Sequence, residues 1–389
     1  MPIVNRVADL QPDIQAWRRD LHAHPEVLYE VHRTAAFVAE RLREFGCDEV
    51  ATGLGKTGVV GVIKGRKPAG GDVKVIGLRA DMDALPIEEQ TGLPYASKTP
   101  GQMHACGHDG HTAMLLGAAR YLAETRNFAG QAVVVFQPAE EGGAGAAAMI
   151  KDGLMERFAI DQIYGMHNGP GMPIGSFAIR TGPIMAATDS IDINIEGIGG
   201  HAARPHKSLD SVLVGAELIT ALQQIVSRNV DPLDAAVISM CEFHAGNARN
   251  VIPQTAVLRG TVRTLTAEVR ELVEKRVRAV VAGVAQMTGA KIDLTYERGY
   301  PVTNNHAVQT QFATRVAKEI AGDTNVHEMP PLMGAEDFAY MLEKRPGAFI
   351  FCGNGDSAGL HHPAYNFSDE AIVFGTSYWI KLVENTLPA

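Results

Sequence analysis

The chain has 389 residues, of which 46% are hydrophobic and 20% charged, and its formal net charge is −9. This length predicts two or three domains with a full-sized core, which excludes a disordered chain and a small disulfide-stapled scaffold. The negative charge argues against nucleic-acid or anionic-membrane partners. Four cysteines are too few for a disulfide framework. We see no signal-peptide core and no apolar stretch of about 18 residues, so a cytoplasmic protein without a membrane partner is expected.

Short apolar runs alternate with helical stretches in the first and last parts of the chain. Residues 73–78, 132–136, 160–166 and 348–352 predict strands buried on both faces of a largely parallel sheet. Such short runs are also compatible with buried helix segments. A polar cluster follows each run, at the carboxyl end of the strand, where open α/β sheets bind ligands. We therefore expect the four clusters to meet in one cleft.

The middle of the chain has a different periodicity. An alternating strand at 191–196 is followed by a helix, two strands near 235–243 and 255–262, a second helix, and a last strand at 292–296. Ser208 is predicted to cap the first helix, whose apolar side comprises Val212, Ala216, Ile219, Leu222 and Val226. The order β-α-β-β-α-β is the ferredoxin-like arrangement.

These patterns predict an α/β protein in which a mostly parallel-sheet domain contains an inserted ferredoxin-like domain. Clusters of turn residues place the boundaries near 181–183 and 299–301. The first domain would be discontinuous, over 1–182 and 300–389, and the inserted domain would cover 183–299.

The strongest local motif is the segment His-Ala-Cys-Gly-His-Asp-Gly-His at 104–111. Cys106 and His108 lie two residues apart with Gly107 between them, so both side chains can converge on one ion. A thiolate with an imidazole suits zinc or a similar borderline metal. The alternative is a helix N-terminus with incidental histidines.

Glu140 and Glu141 follow the run 132–136. Adjacent carboxylates repel each other unless a cation or a proton is near, so one can bind a metal while the other acts as a general base. The alternative is a solvated acidic pair. His167 and the pair His361-His362 follow two other predicted strands, and the combined donors are sufficient for two ions roughly 3.5–4 Å apart.

Five segments resemble one known family, namely 19–26, 79–86, 103–109, 137–142 and 360–363. They resemble the hippurate hydrolase and N-acyl-amino-acid amidohydrolase branch of the aminoacylase/carboxypeptidase family of dinuclear metallohydrolases. The resemblance covers essentially the whole chain in the family's order. Other branches have His-x-Asp where this chain has Asp81-Met82-Asp83, and this departure favours the amidohydrolase branch.

The resemblance implies a role for each motif in a metal-binding catalytic domain. The metal ligands would be Cys106, His108, Glu141, His167 and His361. Glu140 would be the general base, and Asp83 would orient the ligands without binding the metal. The family pattern Leu-His-x-Pro selects His361, with His362 as the alternative. Two divalent ions per subunit are implied; zinc is favoured, and manganese, cobalt and nickel are alternatives.

The inserted domain resembles the family's lid and dimerisation domain at 199–205. The resemblance implies that His201 stabilises the oxyanion in the site of a partner subunit, which predicts a homodimer. It also places Asn250 and Arg263 at the carboxylate of the substrate. The simpler interpretations are a turn histidine and a surface ion pair between Arg263 and Glu268.

The predicted function is metal-dependent hydrolysis of the amide bond of small N-acyl amino acids, of the hippurate or N-acetyl type. A dipeptidase and an N-acetyl-diaminopimelate deacetylase are alternatives, since they differ only in the acyl and amino pockets. A metal-binding protein without catalysis is disfavoured because a second carboxylate that binds no metal has no use in storage. A thioredoxin-like redox role is disfavoured because no Cys-x-x-Cys occurs.

Overall fold

The computed structural model describes residues 3–68 and 74–387. The chain forms two compact units. The first contains the described residues up to Ile184, the segment Asn304–Pro330 and those from Asp337 onwards, and the second contains Met185–Thr303 and Pro331–Glu336. The segment 331–336 thus belongs to the second unit, whereas the sequence analysis predicted it as part of the first domain. None of the described helices combines the length and apolar character that a membrane crossing requires.

Helices and strands follow one another along both units. The helices are α1 (Asn5–Ala23), α2 (His32–Glu44), α3 (His108–Thr125), α4 (Glu140–Gly143), α5 (Gly145–Lys151), α6 (Leu154–Arg157), α7 (Ser211–Arg228), α8 (Ala267–Thr288), α9 (Ala307–Ala321), α10 (Ala339–Lys344) and α11 (Ile372–Thr386). The strands are β1 (Glu49–Leu54), β2 (Gly58–Lys64), β3 (Val75–Asp81), β4 (Gln131–Gln137), β5 (Gln162–Gly169), β6 (Phe177–Ile179), β7 (Gly182–Met185), β8 (Ala187–Glu196), β9 (Gly200–His201), β10 (Ala236–Ala245), β11 (Val251–Ile252), β12 (Thr255–Thr264), β13 (Lys291–Arg298), β14 (Thr303–Asn305), β15 (Val326–Glu328) and β16 (Gly347–Gly353).

An eight-stranded sheet in the order β1-β2-β4-β3-β5-β16-β6-β15 forms the centre of the first unit. The four central strands β4, β3, β5 and β16 run parallel, whereas β1 and β2 pair antiparallel on one flank and β6 pairs antiparallel with β16 on the other. β3 and β16 are buried along their whole length. A mostly parallel sheet with helices on its faces buries such continuous apolar runs on both sides, and the predicted α/β class is confirmed.

The four predicted strands correspond to β3, β4, β5 and β16. Val73, where the first prediction began, lies outside the described residues. β5 continues beyond the predicted end, so His167 lies within the strand and was wrongly placed after it. The strand is longer than predicted because its pairing with β16 continues to its end. His167 lies opposite Phe351, and Gly169 lies opposite Gly353.

The second unit contains an antiparallel sheet in the order β10-β12-β8-β13 and the helices α7 and α8. The chain order of these elements is β-α-β-β-α-β, as predicted for a ferredoxin-like domain. Its core is built from the isoleucines of β8 and from apolar side chains of both helices, among them Ile191, Ile193, Leu218, Val273 and Val277.

The predicted start and buried face of α7 need correction. Asp210, and not Ser208, caps the helix, because its carboxylate accepts hydrogen bonds from the backbone N–H groups of Val212 and Leu213. Val212 is 39% exposed. The buried side instead comprises Val214, Leu218, Leu222 and Ile225. The sequence of α7 contains two overlapping apolar stripes, and packing in the core of this unit selects one of them.

Candidate active site

The central parallel strands bring the predicted chemical groups to one edge of the sheet. Glu140 and Glu141 follow β4, His167 lies near the end of β5, and His361 lies in the loop after β16. Cys106 and His108 stand at the start of α3. Because the carboxyl ends of parallel strands share an edge, positions far apart in the sequence become neighbours.

Cys106, His108 and His167 form one buried group whose possible ligand atoms all lie within 4.8 Å of one another. Cys106 Sγ is 3.4 Å from His167 Nε2. His167 Nδ1 donates to the carbonyl oxygen of Asn168 at 2.7 Å, and His108 Nδ1 donates to that of Asp83 at 2.7 Å. These bonds leave the Nε2 atom of each ring as the one that can bind a metal.

Cys106, Glu141 and His361 form a second group by the same distance criterion. His361 Nε2 lies 3.2 Å from Glu141 Oε1, and the His361 side chain is 53% exposed. The structure brings His361, rather than His362, to this group. His362 is exposed and its Nδ1 accepts a hydrogen bond from Ala364 N at 3.0 Å. Cys106 belongs to both groups, so its sulfur is placed near both sets of donors.

Asp83 organises the turn that carries the two glutamates. Its carboxylate accepts hydrogen bonds from the backbone N–H of Glu140 at 2.9 Å and of Glu141 at 3.1 Å. Glu140 is 7% exposed, and one of its carboxylate oxygens accepts from Asp337 N at 3.4 Å. Asp83 therefore contacts His108 and both glutamates, and the Glu140-Glu141 pair is not the solvated acidic pair of the alternative interpretation.

The protonation preferences at this edge depend on burial and on neighbouring charges. Burial raises the pKa of the Cys106 thiol well above its usual value, and the carboxylates of Glu141 and Glu140 raise it further. Burial lowers the pKa of His167 well below its usual value. Burial opposes the charged form of His108 too, yet the Asp81 carboxylate and then Asp83 raise its pKa to about 10. A divalent cation bound here would stabilise the thiolate and neutral imidazoles.

The donor set fits a divalent metal. His108 Nε2 is buried and has no hydrogen-bond partner within residues 3–68 and 74–387, and it lies 4.0 Å from Glu141 Oε1. A buried nitrogen without a partner is costly unless something binds it. Thiolate, imidazole and carboxylate donors together suit zinc and neighbouring transition metals.

Comparison with known proteins agrees with this geometry. The profile of Peptidase family M20/M25/M40 matches residues 77–385. Hippurate hydrolase from Campylobacter jejuni is 45% identical, with 98% of each chain covered. N-acetyl-L-cysteine deacetylase from Bacillus subtilis is 42% identical, with 96% of this chain and 88% of the relative covered.

The chain belongs to the M20/M25/M40 peptidase family. A crystal structure of a dinuclear metal-binding peptidase of the M20 family from Bacillus subtilis has a TM-score of 0.83 and 34% identity, covering 98% of this chain and 99% of that one. The predicted metal-dependent amidohydrolase is thereby confirmed at the level of reaction class.

Three residues that the sequence analysis did not assign to the site, Asp81, His111 and Asn168, lie beside the candidate metal ligands. Asp81 lies at the end of β3, with one oxygen 3.8 Å from His108 Nε2 and the other 2.7 Å from His111 Nδ1. Asn168 N donates to His111 Nε2 at 2.9 Å. Two signals were available, because Asp81 also follows a strand, and His111 lies one turn after His108 on the same helix.

The three other predicted site residues of this M20 chain belong to the second unit. His201 is exposed at the end of β9, where it pairs with Val251 of β11, and Asn250 O accepts from Ala202 N at 3.1 Å. Arg263 is half-buried on β12 and donates to the Val262 carbonyl oxygen at 3.0 Å and to Thr261 Oγ1. No ion pair joins Arg263 to Glu268 in the part of the chain that the structure describes.

Proposed function

We propose that this chain hydrolyses the amide bond of N-acyl amino acids and releases a carboxylic acid and a free amino acid. The observation that carries the proposal is that Cys106, His108, His167, Glu141 and His361 form overlapping candidate ligand groups, with the Glu140 carboxylate next to His108 and Glu141. The names of the two curated relatives both denote removal of an acyl group from the nitrogen of an amino acid, which supports this substrate class.

The five ligand positions would hold two divalent ions, with Cys106 contributing to both groups. Zinc is the ion that we favour for this donor set, and manganese, cobalt and nickel are the alternatives. Bound ions of this kind supply Lewis acidity to the amide carbonyl and lower the pKa of a water molecule. The ligand residues also orient the site, because their hydrogen bonds to Asp83 and Asn168 set which ring nitrogen faces inward.

Glu140 is assigned as the general base and Glu141 as a ligand. Glu141 contacts His361 and shares a candidate ligand group with Cys106 and His361, which supports its role at the metal. Glu140 is buried beside that centre, on a turn fixed by Asp83. It would remove a proton from the attacking water and later deliver it to the nitrogen of the leaving amine. A protein that only stores metal has no use for this second carboxylate.

We further propose a homodimer in which the second unit completes the site. Asn250 lies before β11, close to the Thr255 end of β12, whereas Arg263 is at the far end of that strand. Thr255 and Arg263 are eight residue steps apart on the strand, roughly 26 Å at about 3.3 Å per step. This spacing supports a carboxylate clamp with Arg263 from one chain and Asn250 and the oxyanion-stabilising His201 from its partner.

The carboxylate clamp can be tested by comparing substrates with and without a free carboxylate. Arginine presents two parallel N–H donors to a carboxylate, so an N-acyl amino acid is expected to react far faster than its carboxamide or methyl ester. Arg263→Ala should reduce that preference, because clamping positions the scissile amide. Equal rates on acid and amide, unchanged in the variant, would remove the clamp and point to a general amidase.

The central experiment is an assay of the metal-loaded protein on matched substrates. N-acetyl, N-benzoyl and indole-acetyl amino acids are compared with free dipeptides, before and after prolonged chelation. We expect turnover of the acylated amino acids, loss in chelator and recovery with added divalent metal. Faster cleavage of dipeptides would instead identify a dipeptidase, and full activity of metal-free protein would overturn the proposal.

We propose a cytoplasmic location on the basis of the cysteines. Cys47, Cys106, Cys241 and Cys352 are all unpaired. A thiol that serves as a metal ligand has to stay reduced, which a reducing compartment ensures.

A further inference from the structure

The buried asparagine that follows His167 has a hydrogen bond at each of its polar groups. Its side-chain Nδ2 donates to the Cys106 carbonyl oxygen at 2.7 Å, and its Oδ1 accepts from the Tyr365 hydroxyl at 2.8 Å. Its backbone N–H donates to His111, and its carbonyl oxygen accepts from His167. Asn168 is 1% exposed. One residue thus connects the loop before α3, the end of β5 and the segment after β16.

The turn between the two ligands Cys106 and His108 packs directly against this asparagine. Gly107 has φ +85°, a conformation that favours glycine. A Cβ atom at Gly107 would overlap both Asn168 Nδ2 and the Tyr365 hydroxyl oxygen. Both the backbone conformation and the lack of space therefore require glycine at this position. The absence of a side chain at Gly107 allows Asn168 and Tyr365 to pack against the Cys-Gly-His turn.

A chain of buried polar groups anchors Asn168 to the central sheet. His111 Nε2 accepts from Asn168 N and lies 3.0 Å from Asn168 Nδ2. His111 Nδ1 donates to Asp81, and Asp81 accepts from Arg79 Nη1 at 2.7 Å. Both ring nitrogens of His111 thus have hydrogen-bond partners, and His111 supports Asn168 through one of them.

We propose that the Asn168 side chain, braced by Tyr365, is a positioning residue that holds the Cys106-Gly107-His108 turn in its metal-binding conformation. This inference rests on the proposed metal-binding function. The amide holds the peptide of Cys106 rather than its sulfur, so its effect is exerted through the backbone. Groups that hold ligands in place commonly change metal affinity 10- to 100-fold when they are removed.

The test uses full-length protein depleted of metal and titrated with Co²⁺, which reports a sulfur ligand through its thiolate-to-metal charge-transfer band. Asn168→Ala should weaken Co²⁺ binding by about tenfold or more and alter that band. Tyr365→Phe removes one hydroxyl and should weaken binding about threefold. Asn305→Ala is the matched control, since Asn305 is 2% exposed and its amide binds the backbone of Arg180 and Phe349.

The outcomes separate this inference from the proposed function. If the wild type binds Co²⁺ and Asn168→Ala binds it with the same affinity and the same band, the positioning role is wrong while the metal site stands. If the wild type binds no divalent metal, the proposed function fails and this inference fails with it. If Asn168→Ala does not fold, Tyr365→Phe decides, and wild-type affinity and spectrum in that variant overturn the proposal. A loss as large in Asn305→Ala would show general destabilisation and also overturn it.

Discussion

The carboxyl edge of the central sheet and the two-stranded sheet β9–β11 of the second unit hold their polar residues in different ways. At the sheet edge, His108, His167 and Asn168 are almost fully buried, and each has a hydrogen bond that fixes its orientation. In the second unit, His201 is exposed, and the hydrogen bond that its side chain makes is from Ala203 N to Nδ1 at 3.0 Å.

This contrast shows which polar side chains are held in a fixed orientation by the fold itself. The sheet edge has its candidate ligands and their supporting hydrogen bonds within one unit, so these side chains are oriented before any substrate binds. The exposed His201 leaves its Nε2 available to a group outside its own strand pair. In the proposed homodimer, that group would belong to the partner chain.

The second unit is not loosely built, however. Asp189 on β8 is 3% exposed and accepts hydrogen bonds from Arg270 Nε at 3.0 Å and from the Tyr296 hydroxyl at 2.7 Å. The first unit has a comparable network, in which Arg18, His22 and Asp109 are buried together. The two units therefore differ in the exposure of their candidate site residues and not in the presence of buried charge.

The largest expected effect separates the two adjacent glutamates. Glu140→Gln should keep metal content and fold but lower kcat about 10²- to 10⁴-fold, because only proton transfer is removed. Glu141→Gln should instead lower metal occupancy, because it removes a ligand. Metal analysis and steady-state kinetics on both variants are the measurement, and the reverse pattern would exchange the two roles.

Asp189→Ala tests the independence of the second unit. Removing one partner of a buried ion pair leaves Arg270 uncompensated, so we expect a loss of about 3–5 kcal/mol in the free energy of unfolding. Hydrogen exchange should show the loss in residues 187–298, while metal content stays at the wild-type level. Asp192→Ala is the control, because the half-exposed Asp192 lies on the same strand, 3.9 Å from Arg259, and its loss should cost at most about 1 kcal/mol. Loss of metal along with stability would show that the site depends on this unit.

The buried network of the first unit predicts a pH dependence of stability. Burial opposes the charge on His22, but Asp109 and then Glu89 raise its pKa to about 9. A raised pKa in the folded state stabilises the fold fully below about pH 6.5, and this contribution is lost as pH rises through 9. We expect wild type to lose up to about 3 kcal/mol more than His22→Gln between pH 6 and pH 10.

Urea unfolding at both pH values measures this difference. His244→Gln is the control, since His244 is exposed beside Glu242 in the second unit. Parallel pH curves for wild type and His22→Gln would show that His22 is neutral in the fold.

The smallest signal comes from mixing two inactive proteins. If His201 completes the site of the partner, a dimer of one His201→Ala chain and one Glu140→Gln chain has one site with both lesions and one with neither. Random pairing makes about half of the dimers mixed, so about a quarter of wild-type activity should return. Absence of rescue, with mixed dimers shown to form, would mean that His201 acts within its own chain or not at all.

Much of the architecture was predictable because its signals are local. Apolar runs followed by polar clusters indicated β3, β4, β5 and β16, and the alternation at Ile191, Ile193 and Ile195 indicated β8. The wrong predictions concerned the start and the buried face of a helix, which the local sequence pattern does not determine. α7 begins three residues after the predicted cap and buries another stripe, because contact with the sheet decides between two apolar faces.

The sequence alone indicated which side chains could bind a metal and that the ends of the strands would bring them together. Both follow from the residue types and from the order of the strands along the chain. The neighbours that orient those donors became visible only in the folded chain. Asn168 and Tyr365 are 197 residues apart and carry no motif, yet they meet at 2.8 Å beside Gly107. Hydrogen bonds between distant segments depend on sheet register and loop packing, which no local pattern encodes.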